Sequence, residues 1–193
     1  MSRRDQRVSV ELNARGIRNL RKEEIQSILR GADELIATGG RTLLAKILKG
    51  SRDQKILELG LEKCPVYGYY QQLTLEDITA RIDWTILHDY LSIEYDGRLP
   101  MLVYTHKGWE IEKETFANEL VQEFDEKLRL GEPSPDMTYL KDRNRGLILL
   151  FLDKIEASEK KEYIPLLEAW EKIDYKKVRQ RIREVIQRLG GEG

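Results

Sequence analysis

The chain has 193 residues, of which 40% are hydrophobic and 35% are charged, and its formal net charge is −1. This composition predicts a soluble, charge-rich globular protein, and its apolar runs are far shorter than the roughly 18 residues of a membrane span. The single cysteine, Cys64, excludes an intramolecular disulfide and any zinc site built from two or more thiolates, and we expect a reducing, cytoplasmic location.

The charge is unevenly distributed along the sequence. Residues 1–55 carry 13 Lys and Arg against 7 Asp and Glu, a net charge of +6, whereas residues 56–140 carry 7 against 17, a net charge of −10. Residues 141–193 return to +3, with 13 against 10. A basic first quarter followed by an acidic middle predicts an anionic partner at one end of the surface, although solvated helix faces also explain such an imbalance.

The first predicted part, residues 1–37, is a basic segment followed by a leading helix. Apolar and polar residues alternate from Val8 to Leu12, which fits a short strand or, equally, a flexible basic arm. No apolar stretch at the start has the character of a signal peptide. Apolar residues at helical spacing predict a helix from Glu23 to Ala37, which Gly39-Gly40 ends.

The second part, residues 38–130, opens with two short helices joined by a basic turn. The first helix is predicted from Arg41 to Leu48, with Gly50 as its C-terminal cap. The second is predicted from Arg52 to Leu59, with Ser51 as its N-cap.

A third helix and a β-hairpin follow these two helices. Thr74 caps a helix that runs to Leu87, and the alternation on both sides of Asp96-Gly97 predicts a hairpin from Leu91 to Tyr104. Another amphipathic helix is predicted after Gly108. Three helices followed by a hairpin is the order of a winged helix, a helix-turn-helix with a hairpin wing.

The third part, residues 131–193, is predicted to be a linker and a helical extension. The Gly- and Pro-containing linker spans residues 131–136, and helices follow at roughly 138–157, 160–173 and 175–189. The last helix has one basic face, which fits a second nucleic-acid contact, a partner surface or a solvated face. The predicted fold class is therefore α+β and mostly α, a winged helix-turn-helix with a β-hairpin wing and a helical C-terminal extension.

Four short segments together resemble a known family. Lys49-Gly50-Ser51, then Lys55, then Tyr67-Gly68 and, after the hairpin, Tyr104-Thr105-His106-Lys107-Gly108 are similar to the RQC domain, the winged helix of RecQ-family DNA helicases. The resemblance covers about residues 38–115. It implies duplex DNA binding and use of the wing as a wedge between strands.

The chain also departs from the RecQ pattern. RecQ helicases carry an ATPase motor, and this sequence has no Gly-x-x-x-x-Gly-Lys-Ser/Thr phosphate loop. They often carry a four-cysteine zinc module, which one cysteine cannot build. The helicase activity therefore does not transfer, and we expect a protein that is not an enzyme and has no cofactor or metal. The two histidines, His88 and His106, are too few for a metal or catalytic cluster.

The basic turn is the predicted contact with the DNA backbone. Gly50 would let a phosphate approach the main chain, while Ser51 and the start of the second helix would offer hydrogen-bond donors. Helix capping with solvated lysines is the other interpretation. At the wing, the resemblance implies that Tyr95 stacks on a terminal base pair, and packing against a neighbour is the other interpretation. The predicted DNA-binding residues are Arg41, Lys46, Lys49, Gly50, Ser51, Arg52 and Lys55 around the turn, Tyr95 and Arg98 at the wing, and Lys107 after it.

The sequence thus predicts a stand-alone DNA-binding protein with a role of the repair or replication type. Its expected partners are DNA, as duplexes, ends or forks, and a helicase or other repair protein; no membrane is expected, and the oligomeric state stays unassigned. A transcription regulator is one alternative, but its third helix would bring Glu76, Asp77, Asp83 and Asp89 toward phosphate. A protein-interaction module is the other alternative, which the acidic middle of the chain favours.

Overall fold

A computed structural model of the chain describes residues 7–131 and 135–190. The described residues form two compact units, one within Met1–Glu112 and one within Lys113–Gly193. The predicted boundaries after residues 37 and 130 stay a prediction. The first six residues of the predicted basic segment and residues 132–134 of the predicted linker lie outside the described residues.

The first unit has the element order that the sequence predicts for a winged helix. Its elements are α1 (Lys22–Asp33), α2 (Arg41–Lys49), α3 (Gln54–Glu58), a 3-10 turn (Leu61–Lys63), α4 (Leu75–Leu87), β1 (Leu91–Asp96) and β2 (Leu99–Tyr104). The next helix, α5 (His106–Leu130), begins in this unit and ends in the second. The predicted mostly helical α+β class with a hairpin wing is confirmed.

One hydrophobic core joins the helices and the hairpin of the first unit. Each fully buried aliphatic side chain in such a core contributes about 1.5–3 kcal/mol relative to exposure. Buried members from α1, α2, α4, β1 and β2 are Ile28, Leu29, Leu44, Ile47, Leu48, Ile78, Ile82, Leu91 and Leu102. The core fixes where the α2–α3 turn and the wing lie, because both are anchored by its residues.

Helix α1 ends four residues earlier than predicted, at Asp33 instead of Ala37. The backbone beyond it pairs with the wing: the Ala37 amide donates to the Leu102 carbonyl at 2.9 Å, and the Leu102 amide donates to the Gly39 carbonyl at 2.8 Å. These backbone hydrogen bonds replace the helical ones. The apolar periodicity continues past the end of the helix because Leu35 is buried in the core and Ile36 packs against it.

The wing is a regular two-stranded hairpin. Its antiparallel register runs from Leu91 opposite Tyr104 to Asp96 opposite Leu99, so only two residues form the loop. Gly97, the first of them, has a φ of +58°, a left-handed conformation that favours glycine. The chain around Val8 forms no strand, but its amide donates to the Arg98 carbonyl at 3.2 Å, so the N-terminal arm reaches the wing tip.

The second unit is helical and has an aromatic core. After the C-terminal part of α5 come a 3-10 turn (Thr138–Leu140), α6 (Arg145–Ala157), a 3-10 turn (Lys161–Tyr163), α7 (Ile164–Glu171) and α8 (Lys176–Arg188). The ring centroids of Phe124 and Phe151 are 4.8 Å apart, and those of Phe151 and Trp170 are 5.7 Å apart. The Tyr163 side chain is fully buried, and its hydroxyl donates to Asp125 at 2.6 Å. The only polar atom of this side chain therefore has a hydrogen-bond partner.

The helices of the second unit differ from the predicted ones at their starts. α6 begins only at Arg145 because the Asn144 side chain accepts hydrogen bonds from the amides of Gly146 and Leu147 and caps the helix. The predicted helix at 160–173 is a 3-10 turn followed by α7, with Pro165 in its first turn. Of the described helices, none combines the length and hydropathy that a membrane crossing requires.

Candidate nucleic-acid interface

The α2–α3 turn, residues 50–53, starts with the predicted C-terminal cap. Gly50 has a φ of +73°, and its amide donates to the Ile47 carbonyl at 2.9 Å. The Ser51 amide donates to the Lys46 carbonyl at 3.0 Å. The last carbonyls of α2 are therefore satisfied within the chain, as the sequence predicts for a glycine at this position.

Gly50 is also needed for close packing with a second glycine. A Cβ on Gly50 would lie 3.0 Å from the Cα of Gly68, which itself has a φ of +75°. The connector after α3 is held there by two backbone bonds, from the Gly68 amide to Ile47 at 2.9 Å and from the Tyr70 amide to Leu48 at 2.8 Å. The packing of Gly50 against Gly68 thus explains why residue 50 has no side chain. Close approach of a phosphate to Gly50 stays a proposal.

The predicted N-cap of the second helix is wrong. Asp53, not Ser51, caps α3: its carboxylate accepts the Lys55 amide at 3.1 Å, while the Ser51 hydroxyl accepts the Asp53 amide at 3.2 Å. The helix consequently spans Gln54–Glu58 and not Arg52 to Leu59. A helix of five residues whose Lys55 amide already binds a carboxylate offers little positive potential to a phosphate, which favours side chains for any anion contact here.

Two of the predicted lysines stabilise the turn from within. Lys46 Nζ lies 2.7 Å from Asp53, and this hydrogen bond, followed by that of the Lys55 amide, lowers the pKa of the Asp53 carboxyl below its ordinary value. Lys49 Nζ donates to the carbonyls of Gln71 and Leu73 at 2.6 and 2.7 Å. Lys49 therefore fixes the segment that leads into α4.

Arg41 lies in an internal ion pair. Its guanidinium donates to Asp83 at 2.5 Å and to the Glu11 carbonyl at 3.0 Å. The Asp83 side chain is only 3% exposed and also accepts the Asn13 amide at 2.8 Å. This arrangement connects α2, α4 and the N-terminal arm, and it directs Arg41 into the protein.

Arg52 and Lys55 are the cations of the turn that point to solvent. Both residues are exposed. Over residues 7–131 and 135–190, neither side chain forms a hydrogen bond or ion pair, which contrasts with Arg41, Lys46 and Lys49. They are the residues of the predicted set best placed for an external phosphate.

At the wing, the predicted aromatic residue is engaged with the N-terminal arm. The Tyr95 hydroxyl donates to the Val8 carbonyl at 3.0 Å, and the Arg7 guanidinium carbon lies 5.1 Å from the centre of the Tyr95 ring. Arg98 is exposed at the tip and accepts the Val8 amide through its carbonyl. Leu99, which the predicted set omits, is the exposed apolar residue of the tip, with 59% of its surface accessible.

Lys107 contacts the chain near the start of α5. Its Nζ donates to the His88 carbonyl at 3.0 Å and lies 3.7 Å from the centre of the Tyr90 ring. The lysine thus closes the connection between α4 and the wing. The sequence does not reveal this contact with Tyr90, because a cation–π contact leaves no periodic signal.

The acidic side chains of α4 differ in their surroundings. Glu76 and Asp77, in its first turn, pair with Arg15 at 2.7 and 3.2 Å, whereas Asp83 is buried against Arg41. Within the described part of the chain, no group of three or more His, Cys, Asp or Glu could hold a metal ion, and Cys64 is buried.

Comparison with known proteins gives two matches and one negative result. The model of the RQC domain family matches residues 21–128, a range that includes α1 as well as the wing. The ATP-dependent DNA helicase RecQ of Bacillus subtilis (strain 168) is 29% identical over 90 residues, which are 47% of this chain and 15% of the helicase. No solved structure matches the chain.

Proposed function

Because the chain belongs to the RQC domain family, we propose that it binds DNA through its winged helix and contacts the phosphate backbone at the α2–α3 turn. The match over residues 21–128 is the observation that carries the proposal. The exposed cations Arg52 and Lys55 support the choice of the turn. Arg41, Lys46, Lys49, Gly50 and Ser51 hold the turn in place, and Arg98 and Lys107 extend the basic surface at the wing.

In this proposal the chain binds DNA without catalysing a reaction on it. The part of the Bacillus subtilis helicase that it matches is 15% of that protein, and the sequence contains no phosphate-loop motif. A helicase or another repair protein is the proposed second partner, since the chain is similar to a segment of one. A cytoplasmic location is part of the same proposal.

Reversing the two exposed charges of the turn tests the site. The double variant Arg52→Glu plus Lys55→Glu should lose about tenfold or more of its affinity for a blunt duplex at low salt. The slope of log affinity against log salt should decrease by about one for each phosphate contact removed. Fluorescence anisotropy with duplex, forked, single-stranded and junction DNA, each titrated with salt, measures both quantities.

The control for this variant is Lys161→Glu plus Lys172→Glu, which changes the charge by the same amount in the second unit. Both lysines are exposed. An equal loss of duplex affinity in the control would show that net charge alone matters and would reject the turn as the site. Binding that does not respond to salt would reject phosphate contact altogether.

A preference for forked DNA is the finer part of the proposal, and it rests on the wing tip. Leu99 is exposed beside the two-residue loop, and an apolar residue of this kind can wedge between bases at a junction. Tyr95 supports the tip through its bond to Val8. If DNA displaces the N-terminal arm from the Tyr95 ring, this ring can also stack on a base pair.

The wedge predicts that Leu99→Ser weakens binding to a fork more than binding to a blunt duplex. If half of the leucine side chain is buried against the separated bases, the fork should lose about 1 kcal/mol, or roughly fivefold in affinity. Tyr95→Phe, which removes the bond to Val8 but keeps the ring, is the control. The same fractional loss on both DNA forms would contradict the wedge.

A further inference from the structure

A basic groove lies in the second unit, away from the winged helix in sequence. It has a volume of about 430 Å³ and is lined by the segment before and into α6 and by the start of α8. Four of its lining residues are cations: Arg143, Arg145, Lys176 and Lys177. Lys141 lies beside them, with its Nζ 5.2 Å from the centre of the Tyr175 ring. We name this feature the α6–α8 groove.

The two acidic residues of the α6–α8 groove are occupied by uncharged donors. Asp142 accepts the Tyr175 hydroxyl at 2.7 Å. Asp174 accepts the Trp170 indole at 2.7 Å and the Tyr175 amide at 2.6 Å. The four lining cations therefore exceed the two lining carboxylates, and the carboxylates are directed to other partners, which leaves the groove net positive.

Three of the cations farther along α8, Arg181, Arg183 and Arg188, are neutralised within the protein. Arg181 pairs with Asp153 at 2.8 Å and with Glu156 at 2.7 Å, and Arg188 also pairs with Glu156. Arg183 pairs with Glu171 at 2.6 Å.

Three of the groove cations differ from Arg181, Arg183 and Arg188. In the described ranges, Arg145, Lys176 and Lys177 have neither an ion pair nor a side-chain hydrogen bond. They also occupy the first turns of α6 and α8, where no acidic residue is present and where positive charge disfavours a helix. These three cations therefore do not stabilise the two helices, and their charges are available to an anionic ligand.

The groove also presents an aromatic ring. Tyr175 is 58% exposed, whereas the apolar residues Leu140 and Ile148 beneath it are 1% and 2% exposed. The open lining of the groove is nevertheless mostly apolar. A flat ring next to unpaired cations fits the alternation of bases and phosphates in an unpaired strand.

We propose that the α6–α8 groove binds single-stranded nucleic acid, with phosphates at Arg145, Lys176 and Lys177 and a base on the Tyr175 ring. The inference rests on the proposed function, in which the chain is a DNA-binding protein. It adds a second contact, for an unpaired strand, which a duplex does not contain. A fork presents both forms of DNA to one chain.

Anisotropy titrations of the full chain with a labelled oligo-dT of about 12 nucleotides test the groove, since this length is within the usual site size of single-strand binders. Lys176→Glu plus Lys177→Glu should weaken single-strand binding about tenfold or more at low salt. Tyr175→Ala should weaken it about fivefold or more, while Tyr175→Phe and Tyr175→Trp, which keep a ring for stacking, should bind close to the parent. Thermal unfolding confirms that each variant is folded.

Three results would overturn the inference. The first is an equal loss for the matched control Lys161→Glu plus Lys172→Glu. The second is unchanged oligo-dT binding by Tyr175→Ala, because the ring would then take no part. The third is a poly-glutamate peptide that binds as tightly as oligo-dT and loses its affinity in the Lys176 and Lys177 variant, which would assign the groove to an acidic protein partner.

These measurements test the proposal for the turn and the proposal for the groove independently. If the Arg52 and Lys55 variant keeps its duplex affinity while the groove variants lose oligo-dT, the proposed function of the winged helix fails and the groove stands. If the turn variant loses duplex affinity while the groove variants keep oligo-dT, the winged-helix proposal stands and the groove assignment is rejected.

Discussion

Replacing Gly108 by alanine is expected to destabilise the protein by about 3–5 kcal/mol, more than the same change at any other described glycine. Gly108 is the third residue of α5. A Cβ there would lie 1.9 Å from the carbonyl oxygen of Tyr90 and 2.8 Å from its carbonyl carbon. Both atoms belong to the backbone, so no side-chain rotation relieves the contact.

The Tyr90 backbone has little freedom to move away. Its carbonyl accepts hydrogen bonds from the Thr105 amide at 3.3 Å and from the Thr105 hydroxyl at 3.1 Å. The Gly108 amide in turn donates to the same hydroxyl at 3.0 Å. Moving α5 outward would break this connection between the end of α4, the wing and the start of α5.

Urea unfolding monitored by circular dichroism measures the loss. Gly97→Ala is the matched control, because a Cβ on Gly97 would meet nothing within 4 Å and the residue has a φ of +58°, so alanine should cost only about 1–2 kcal/mol of backbone strain. If Gly108→Ala unfolds no earlier than Gly97→Ala, the close approach of Tyr90 to α5 is absent in solution.

Gly108 illustrates what sequence patterns can and cannot deliver for this fold. The glycine belongs to a segment that resembles the RQC domain, but the resemblance does not explain why a glycine is needed at this position. The reason is a contact between residues 18 positions apart, which exists only once α4, the wing and α5 are packed. The elements themselves were predictable, because hydrophobic periodicity and the two-residue turn at Gly97 are local properties.

The candidate site was predictable in composition but not in geometry. The sequence correctly placed a glycine cap and basic residues at the α2–α3 turn, since capping depends on neighbours along the chain. It could not tell which cations face solvent. Lys49 reaches carbonyls 22 and 24 residues away, and Arg41 reaches Asp83, 42 residues away. Such pairs depend on the tertiary fold. The sequence alone therefore does not distinguish Arg41 and Lys49 from the exposed cations Arg52 and Lys55.

The α3 cap was missed for a related reason. Ser51 and Asp53 are both favourable N-cap residues, and a prediction from residue preference alone does not choose between them. The choice depends on Lys46 of the preceding helix, whose Nζ donates to the Asp53 carboxylate at 2.7 Å. This bond favours a start of α3 two residues later than predicted. The same ion pair removes Lys46 from the set of free cations.

Arg41 gives the second large effect, and it separates a structural cation from a binding one. Arg41→Ala should destabilise the protein by about 2–4 kcal/mol, because it leaves the Asp83 carboxylate buried without its cation. The value lies below that for a fully buried pair, since the Arg41 side chain is 22% exposed. Urea unfolding measures the change, and at low denaturant the folded variant should bind a blunt duplex with nearly the affinity of the parent.

Arg52→Ala is the matched comparison, because it removes the same side chain from an exposed position with no internal partner among the described residues. It should change stability by no more than about 0.5 kcal/mol and weaken duplex binding. The double variant Arg41→Ala plus Asp83→Asn should lose less stability than these two single changes together, since their effects are coupled through the Arg41–Asp83 contact. The opposite pattern, a stable Arg41→Ala that no longer binds duplex DNA, would return Arg41 to the DNA-binding surface and place the ion pair with Asp83 only in the unbound protein.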